Sequence, residues 1–232
     1  MQDEGNQILG RLVDNWSGVC RLEKVIMVGR YSRLEALNID KHAEALFGSF
    51  SQDIENKNWT YLPYGPFENF SAYQQWLIDA SRGSDPVFYV IINQQNNEAI
   101  GLAGYLGINP LHGVIEVGHL QFSPQLQKTP IATEAMFLMM QYIFDELGYR
   151  RYEWKCNALN EKSKNAALRF GFSFEGIFRQ ALVVKGRNRD TAWFSMLDSE
   201  WPHAKKAFKL WLKPENFDAE GRQRSKLSAF FN

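Results

Sequence analysis

The stretch from Glu116 to Gly148 constrains this chain more than any other. An apolar strand, Glu116-Val-Gly-His-Leu-Gln-Phe122, runs into a short polar loop and then into the strongest helix signal in the sequence. Thr129 stands at the N-cap and Pro130 at the first helical position, where a missing N–H costs nothing, and Leu147-Gly148 ends the helix at a glycine. At about 1.5 Å per residue, Pro130 to Leu147 spans about 27 Å. Arg151 to Asn157 then reads as another strand. A helix N-terminus with free amides is a ready anion site, so this junction suits a phosphate or pyrophosphate, and Lys128 adds a full charge.

Strand and helix patterns alternate on either side. Residues 1–24 show no sustained period and read as an arm, and Val25 to Leu37, with short apolar alternations around Gly29, reads as a first strand or hairpin. Asp40 is placed as the cap of a helix reaching Phe50. Asn69 caps another, in which Tyr73, Trp76, Leu77 and Ala80 share a face. Between them, Trp59 to Phe67 combines prolines, which block helix, with crowded aromatics: a stiff loop. Val87 to Asn93, Ala99 to Asn109 and Val114 to Ser123 form an antiparallel meander joined by short turns.

Beyond the 151–157 strand, Asn160 caps a shorter helix stopped by Gly171. Gln180 to Val184 and Thr191 to Leu197 make a hairpin around Gly186-Arg-Asn-Arg-Asp190, whose charges read as a solvated tip. Pro202 starts a last helix with Ala204, Ala207, Phe208 and Trp211 on one face, Pro214 ends it, and the polar tail after Asp218 is expected to be disordered. This order predicts one α/β (α+β) domain over 1–232, a mixed, mostly antiparallel sheet flanked by helices. Its core covers 25–198, with an arm at 1–24 and a C-terminal helix and tail at 199–232.

Composition narrows function by exclusion. Lys plus Arg and Asp plus Glu each number 26, so the net charge is zero and no global field draws the chain to nucleic acid or anionic lipid. Cys20 and Cys156, the only cysteines, lie far apart without metal-ligand spacing, which argues against a disulfide framework and a zinc site. Met1 to Gln7 lack the order of a signal peptide, and no apolar run approaches the ~20 residues of a membrane span. The expectation is a cytoplasmic protein with no metal, membrane or nucleic-acid partner.

At the 116–134 junction the residues resemble the GNAT superfamily of N-acetyltransferases, in particular the ribosomal-protein alanine acetyltransferase branch. The family's Gln/Arg-x-x-Gly-x-Gly/Ala loop is matched by Gln127, Lys128, Thr129, Pro130, Ile131 and Ala132. Pro130 departs from it: it replaces a glycine and has no amide to give a phosphate. Asn157 to Phe172 is similar to the family's Asn-x-x-Ser helix with its following Gly-Phe and Glu-Gly (Glu175, Gly176), and Lys185 to Phe194 to its Gly-x-x-x-Asp stretch. The resemblance covers about 25 to 198 and rests on order and spacing.

The resemblance implies acetyl-CoA as co-substrate and a GNAT-like acyl-CoA N-acyltransferase fold. It places the CoA pyrophosphate on Gln127, Lys128, Thr129 and the amides of Ile131, Ala132 and Thr133, with Asn157 and Asn160 also at the cofactor. Leu120, Gln121 and Phe122 would offer strand amides to the thioester carbonyl and the pantetheine arm, and Ser163 would be a proton donor near the sulfur. Glu116 is the candidate base; an ion-pair role at a strand end is an equal reading. Asn160 and Ser163 also suit plain helix capping. His119 and Cys156 suggest a base and a nucleophile, but a lone cysteine is more often inert core. Tyr61, Tyr64, Phe67, Trp154 and Arg179 are the candidate wall of an acceptor pocket.

The sequence thus points to direct transfer of an acetyl group from acetyl-CoA to a primary amine of a small molecule or a protein N-terminus. The alternative is a non-catalytic acyl-CoA-binding or regulatory protein of the same fold, suggested by Pro130. Arms at both ends and exposed aromatics lead us to expect a homodimer.

Overall fold

The structure, a computed structural model, describes residues 7–231. Residues 1–6 of the expected arm lie outside the described residues. β1 (Met27–Val28) and β2 (Ser32–Ala36) form a hairpin, followed by α1 (Ile39–Phe50) and α2 (Phe70–Ala80). The meander is β3 (Val87–Asn93), β4 (Ala99–Asn109) and β5 (Val114–Phe122); α3 (Pro130–Gln141) continues through a π-helical turn, Tyr142–Glu146. β6 (Arg151–Asn157), α4 (Glu161–Arg169), β7 (Ser173–Val184), β8 (Arg187–Leu197) and α5 (Trp201–Trp211) complete the order.

All eight strands join one sheet in the order β1-β2-β3-β4-β5-β6-β8-β7. Every neighbouring pair is antiparallel except β5 with β6, so the sheet is mixed and mostly antiparallel, as the sequence predicts. Burial explains the layering. α3 buries most of its length, including Ala132, Ala135, Met136, Phe137, Met139 and Met140, because it lies between the sheet and α5. There Phe137 stacks on Phe208 with ring centres 5.5 Å apart, and Phe144 on Trp201 at 5.3 Å. On the opposite face α1 and α2 set Leu46, Tyr73 and Leu77 against Phe88, Val90 and Leu102. At about 25 cal/mol per Å² of apolar area, these two layers supply most of the drive to fold.

A buried carboxylate ties α3 to the first hairpin. Glu134 accepts N–H groups from Arg30 (2.8 Å), Tyr31 (2.6 Å) and Ser32 (2.7 Å), and the Ser32 hydroxyl at 3.1 Å. Gly29 is glycine for a steric reason, since a Cβ there would collide with this carboxylate.

Several expectations need correction. Asn38, not Asp40, caps α1: its backbone is extended and its side chain accepts the Lys41 N–H, which leaves Asp40 in the first turn. The helix after Pro130 is α-helical only to Gln141 before it widens. The tail after Asp218 is packed rather than disordered: Leu227 is fully buried and a Cβ at Gly171 would meet the Phe231 ring. Arg187 to Asp190 form the start of β8 instead of a hairpin tip, because the chain reverses at Lys185 and Gly186, both at positive φ. The described part of the arm has few ladder contacts, yet it is fastened: the Trp16 indole donates to Leu111 O at 2.8 Å, and Glu23 O accepts the hydroxyls of Tyr89 (3.1 Å) and Tyr142 (3.0 Å).

Candidate active site

Because β5 and β6 run parallel, both end at the same edge of the sheet, and the helices after them, α3 and α4, both start there. Their register runs from Val114↔Arg151 to Val117↔Trp154 and stops. β5 stays with β4 as far as Gly101↔Phe122, and β6 with β8 as far as Asn157↔Thr191. Each strand follows its outer neighbour, so the sheet opens into a wedge bordered by Gly118 to Phe122 on one side and Lys155 to Asn157 on the other. The divergence has a local origin. Gly104 pairs with Gly118 and Leu102 with Gln121, so His119 and Leu120 together oppose Ala103, a β-bulge, and His119 takes φ +50°.

Side-chain alternation divides the chemistry between the two faces of the wedge. Arg151, Glu153 and Lys155 of β6 face the side of α1 and α2, whereas Tyr152, Trp154 and Cys156 enter the core under α4 and α5. On the first face, Lys155 Nζ binds Glu116 (2.8 Å) and Glu153 (2.7 Å) and lies 4.0 Å from the centre of the Trp193 ring. Burial raises the pKa of Glu116 and outweighs the opposing pull of Lys155. Burial works against the charge on Lys155, but its two carboxylates prevail and raise its pKa. The result is a desolvated carboxylate with increased proton affinity beside a fixed cation. Glu116 is therefore an ion-pair partner, and that role leaves it able to take a proton.

On the other face, the Asn160 side chain caps α4 by accepting the Ser163 N–H at 3.1 Å, and Ser163 Oγ accepts the Trp154 indole N–H at 2.9 Å. Capping and a placed hydroxyl thus coexist. Burial pushes the Cys156 thiol up in pKa, more than the neighbouring Ser163 draws it down, so Cys156 is held as a neutral thiol rather than an active nucleophile. Asn157 Oδ1 accepts the Leu159 N–H at 2.9 Å, which shapes the turn into α4.

At the mouth of the wedge, Thr129 caps α3 as predicted, and its hydroxyl is fully used: it donates to Leu126 O at 2.7 Å and accepts the Ala132 N–H at 3.3 Å. Thr129 Oγ1 and the Ala132 amide are therefore engaged with each other. Pro130 has no N–H, and Ile131 N–H remains among the first-turn amides that lack a helical acceptor. Thr133 Oγ1 accepts from Arg169 at 3.1 Å. The Gln127 carboxamide is engaged at the strand end, donating to Phe122 O and Asn58 Oδ1, each at 2.9 Å. Lys128, exposed and at φ +62°, makes no ion pair among the described residues and is free to meet an anion.

The expected acceptor wall forms only in part. Tyr64 stacks on Trp76 (4.0 Å between ring centres) and on His119 (5.6 Å), and the Tyr61 hydroxyl donates to Leu159 O at 3.1 Å across the wedge. Phe67 packs edge-on against Trp59 within the cluster, supporting the wall from behind. Trp154 does not join them, because its register with Val117 and Phe194 turns it to the opposite face. Arg179 lies on exposed β7 beside Phe178, Asn188 and Asp190. Lys185 was not anticipated; it reaches from the β7–β8 turn to Trp59 O at 2.9 Å.

Sequence reasoning also missed Lys155 and Arg169. For Lys155 a signal existed, since a charge at every second residue of 151–155 marks one face of a strand. Arg169 packs on Phe170 and Trp211 near the start of α3 without a carboxylate partner among the described residues, and only the fold brings it there.

A sheet that parts between two parallel strands beside a helix N-terminus can admit a long thioester ending in phosphates, and the fold is that of an α/β acyltransferase. Residues 33–173 match the acetyltransferase (GNAT) domain, and the chain belongs to that family. A GCN5-related N-acetyltransferase from Brucella melitensis is 48% identical, covers 94% of this chain and 99% of its own, and superposes with a TM-score of 0.92. A probable acetyltransferase (GNAT family) from Chromobacterium violaceum is 44% identical over 84% of this chain and 98% of its own, with a TM-score of 0.79. The ribosomal-protein-serine acetyltransferase of Escherichia coli is 27% identical over 148 residues, 63% of this chain and 80% of that protein. Among the described residues no helix is long and apolar enough to cross a membrane, and no group of three or more His, Cys, Asp or Glu side chains is placed to hold a metal.

Proposed function

We propose that this protein transfers an acetyl group from acetyl-CoA to a primary amine of a small molecule or a protein N-terminus, by direct attack of the amine on the thioester. The observation that carries the reading is the wedge beyond Val117↔Trp154, with a desolvated carboxylate on one face and a placed hydroxyl on the other. Acetyl-CoA supplies the electrophilic carbonyl carbon. The free strand edge at Leu120, Gln121 and Phe122 lies along the thioester and pantetheine arm. Ile131 N–H and Lys128 hold the pyrophosphate at the start of α3, and Asn157 and Asn160 border the arm on the far side.

Glu116 removes a proton from the ammonium form of the acceptor, and Lys155 stabilises the carboxylate between turnovers. As the C–N bond forms and the C–S bond breaks, Ser163 passes its proton to the departing thiolate and is reprotonated by the second proton that the attacking nitrogen loses, while the proton held by Glu116 leaves to solvent. Tyr61 and Tyr64, with Phe67 behind them, border the acceptor side. The test is to titrate acetyl-CoA calorimetrically and then assay a panel of amines. We expect saturable one-to-one binding, transfer to at least one amine, and a fall of roughly 100-fold or more in kcat for Glu116→Gln, in the range of general-base catalysis. Equal rates for Glu116→Gln, Ser163→Ala and the parent would overturn the assigned roles.

A second reading, an acyl-CoA-binding or regulatory protein without turnover, draws support from the Lys155 clamp on Glu116 and from the amide that Pro130 lacks. It predicts binding with no acetylated product from any amine. The reading also includes a cytoplasmic location, which suits two free thiols, and a homodimer through the exposed edge strand β7, where Ile177, Phe178, Leu182 and Val183 face solvent. Sedimentation at a single molecular mass of about 26.8 kDa would remove the dimer.

A further inference from the structure

The mechanism above leaves one half-buried titratable group at the wedge unused. His119 sits at the bulge where β5 leaves β6, with its side chain on the face of α1 and α2: its Cβ lies 3.7 Å from the position a Cβ would take at Gly104, and its ring is 5.1 Å from Phe88. Its Nδ1 lies 3.1 Å from the Tyr64 hydroxyl, and the two rings are nearly parallel at 15°. Burial lowers the pKa of His119, and the Asp85 carboxylate only partly opposes that, so the imidazole is neutral near neutral pH. Asp85 is itself engaged with the N–H groups of Gly107 (3.2 Å) and Ile108 (3.0 Å). The other charged groups on this face include Glu116 of β5, bonded to Lys155 of β6, Glu153, which joins Lys155 to Arg151, and Arg189 of β8, whose charge acts on Glu116.

A neutral imidazole has one donor and one acceptor nitrogen, and its neighbour decides which is which. Burial also raises the pKa of Tyr64, so its hydroxyl keeps its proton, and no acceptor for that proton other than Nδ1 is present among the described residues. Donation from Tyr64 to Nδ1 satisfies both groups, and it puts the ring hydrogen of His119 on Nε2. In this state Nε2 can give a hydrogen bond but cannot take a proton. We infer that His119 is a neutral hydrogen-bond donor, locked by Tyr64, that positions the amine acceptor by binding an oxygen atom near its amino group, and is not the base.

This inference rests on the proposed acetyl transfer, but its tautomer can be tested without turnover. In protein carrying ¹⁵N-labelled histidine, with the His119 signal identified by its loss in His119→Gln, nitrogen NMR near neutral pH should show a protonated Nε2 and a bare Nδ1. Tyr64→Phe should shift the tautomer balance. A protonated Nδ1 in the parent protein overturns the inference whatever the activity. The kinetic arm compares a short peptide amide, whose first carbonyl adjoins the amine-bearing carbon, with a plain alkylamine. For the peptide, His119→Ala should raise KM about tenfold with little change in kcat, and His119→Gln, which keeps a donor near Nε2, should restore most of the loss. The alkylamine should be almost unaffected. A collapse of kcat for both amines, with loss of the acid limb of the pH profile, would make His119 the base and overturn the proposal. If the parent acetylates neither amine, acetyl transfer to these acceptors fails, and the nitrogen spectrum still decides the state of His119.

Discussion

The two faces of the sheet contrast sharply. The face covered by α3 and α5 is closed and apolar, with Phe137, Phe208, Phe144 and Trp201 in a continuous stack. On the other face α1 and α2 pack on β3 and β4 and leave β6 and β8 to the chain Arg151–Glu153–Lys155–Glu116. One face spends its residues on packing, while the other keeps charges in low dielectric, where their proton affinities are shifted. Along β5 and β6 packing residues and charged residues alternate within one strand, while the Ser163 hydroxyl comes from α4 on the apolar side.

Substitutions can sharpen or break that contrast. The largest effect is expected from Phe208→Ala, fully buried against Phe137 and Phe170: a loss of about 3–5 kcal/mol in denaturant unfolding, with acetyl-CoA affinity retained in the folded fraction. A loss of affinity comparable to the loss of stability would show that the two faces are not separable. Lys155→Met is the middle case. It leaves the half-buried Glu116 without its cation, while Glu153 keeps Arg151, so it should cost about 3 kcal/mol and also raise the pKa of Glu116 further, moving the acid limb of any transfer reaction to higher pH. An unmoved limb would detach Glu116 from the chemistry.

The smallest effect is on the pH dependence of stability. The Arg151 hydrogen bond holds Glu175 down at about 2 against an ordinary 4.5. A lowered carboxyl pKa contributes stability that is present above 4.5 and lost as pH falls toward 2. Glu175→Gln should therefore lower stability slightly near neutrality and flatten its fall in acid, so that variant and parent converge as pH nears 2, as followed by thermal unfolding from pH 7 downward.

Much of the fold was legible because its signals are local. The strands at 87–93 and 99–109 match their apolar runs end to end, 151–157 matches an alternation of charged and apolar residues, and Thr129, Asn69 and Asn160 cap helices where a short polar side chain precedes a helical period. The errors arose where a distant partner decides. The tail after Asp218 reads as polar, yet Leu227 and Phe231 find a place against α4 and α5 that no window of the sequence contains. Glu116 and Ser163 could be named individually, but the wedge between them depends on how far β5 and β6 stay in register. Trp154 could have been assigned to the core from the alternation of its own strand.

The rim of the wedge is tied together by Tyr61 to Leu159, Tyr64 to His119 and Lys185 to Trp59, contacts between loops far apart in the chain. Apart from His119, at the β5 bulge, none of these residues belongs to the sheet ladder beside the wedge. On the proposed function, a lineage can therefore lengthen, shorten or rewrite the loops and acquire a new acceptor without altering the ladder that borders the wedge. The architecture favours divergence in one half of the reaction and inheritance in the other.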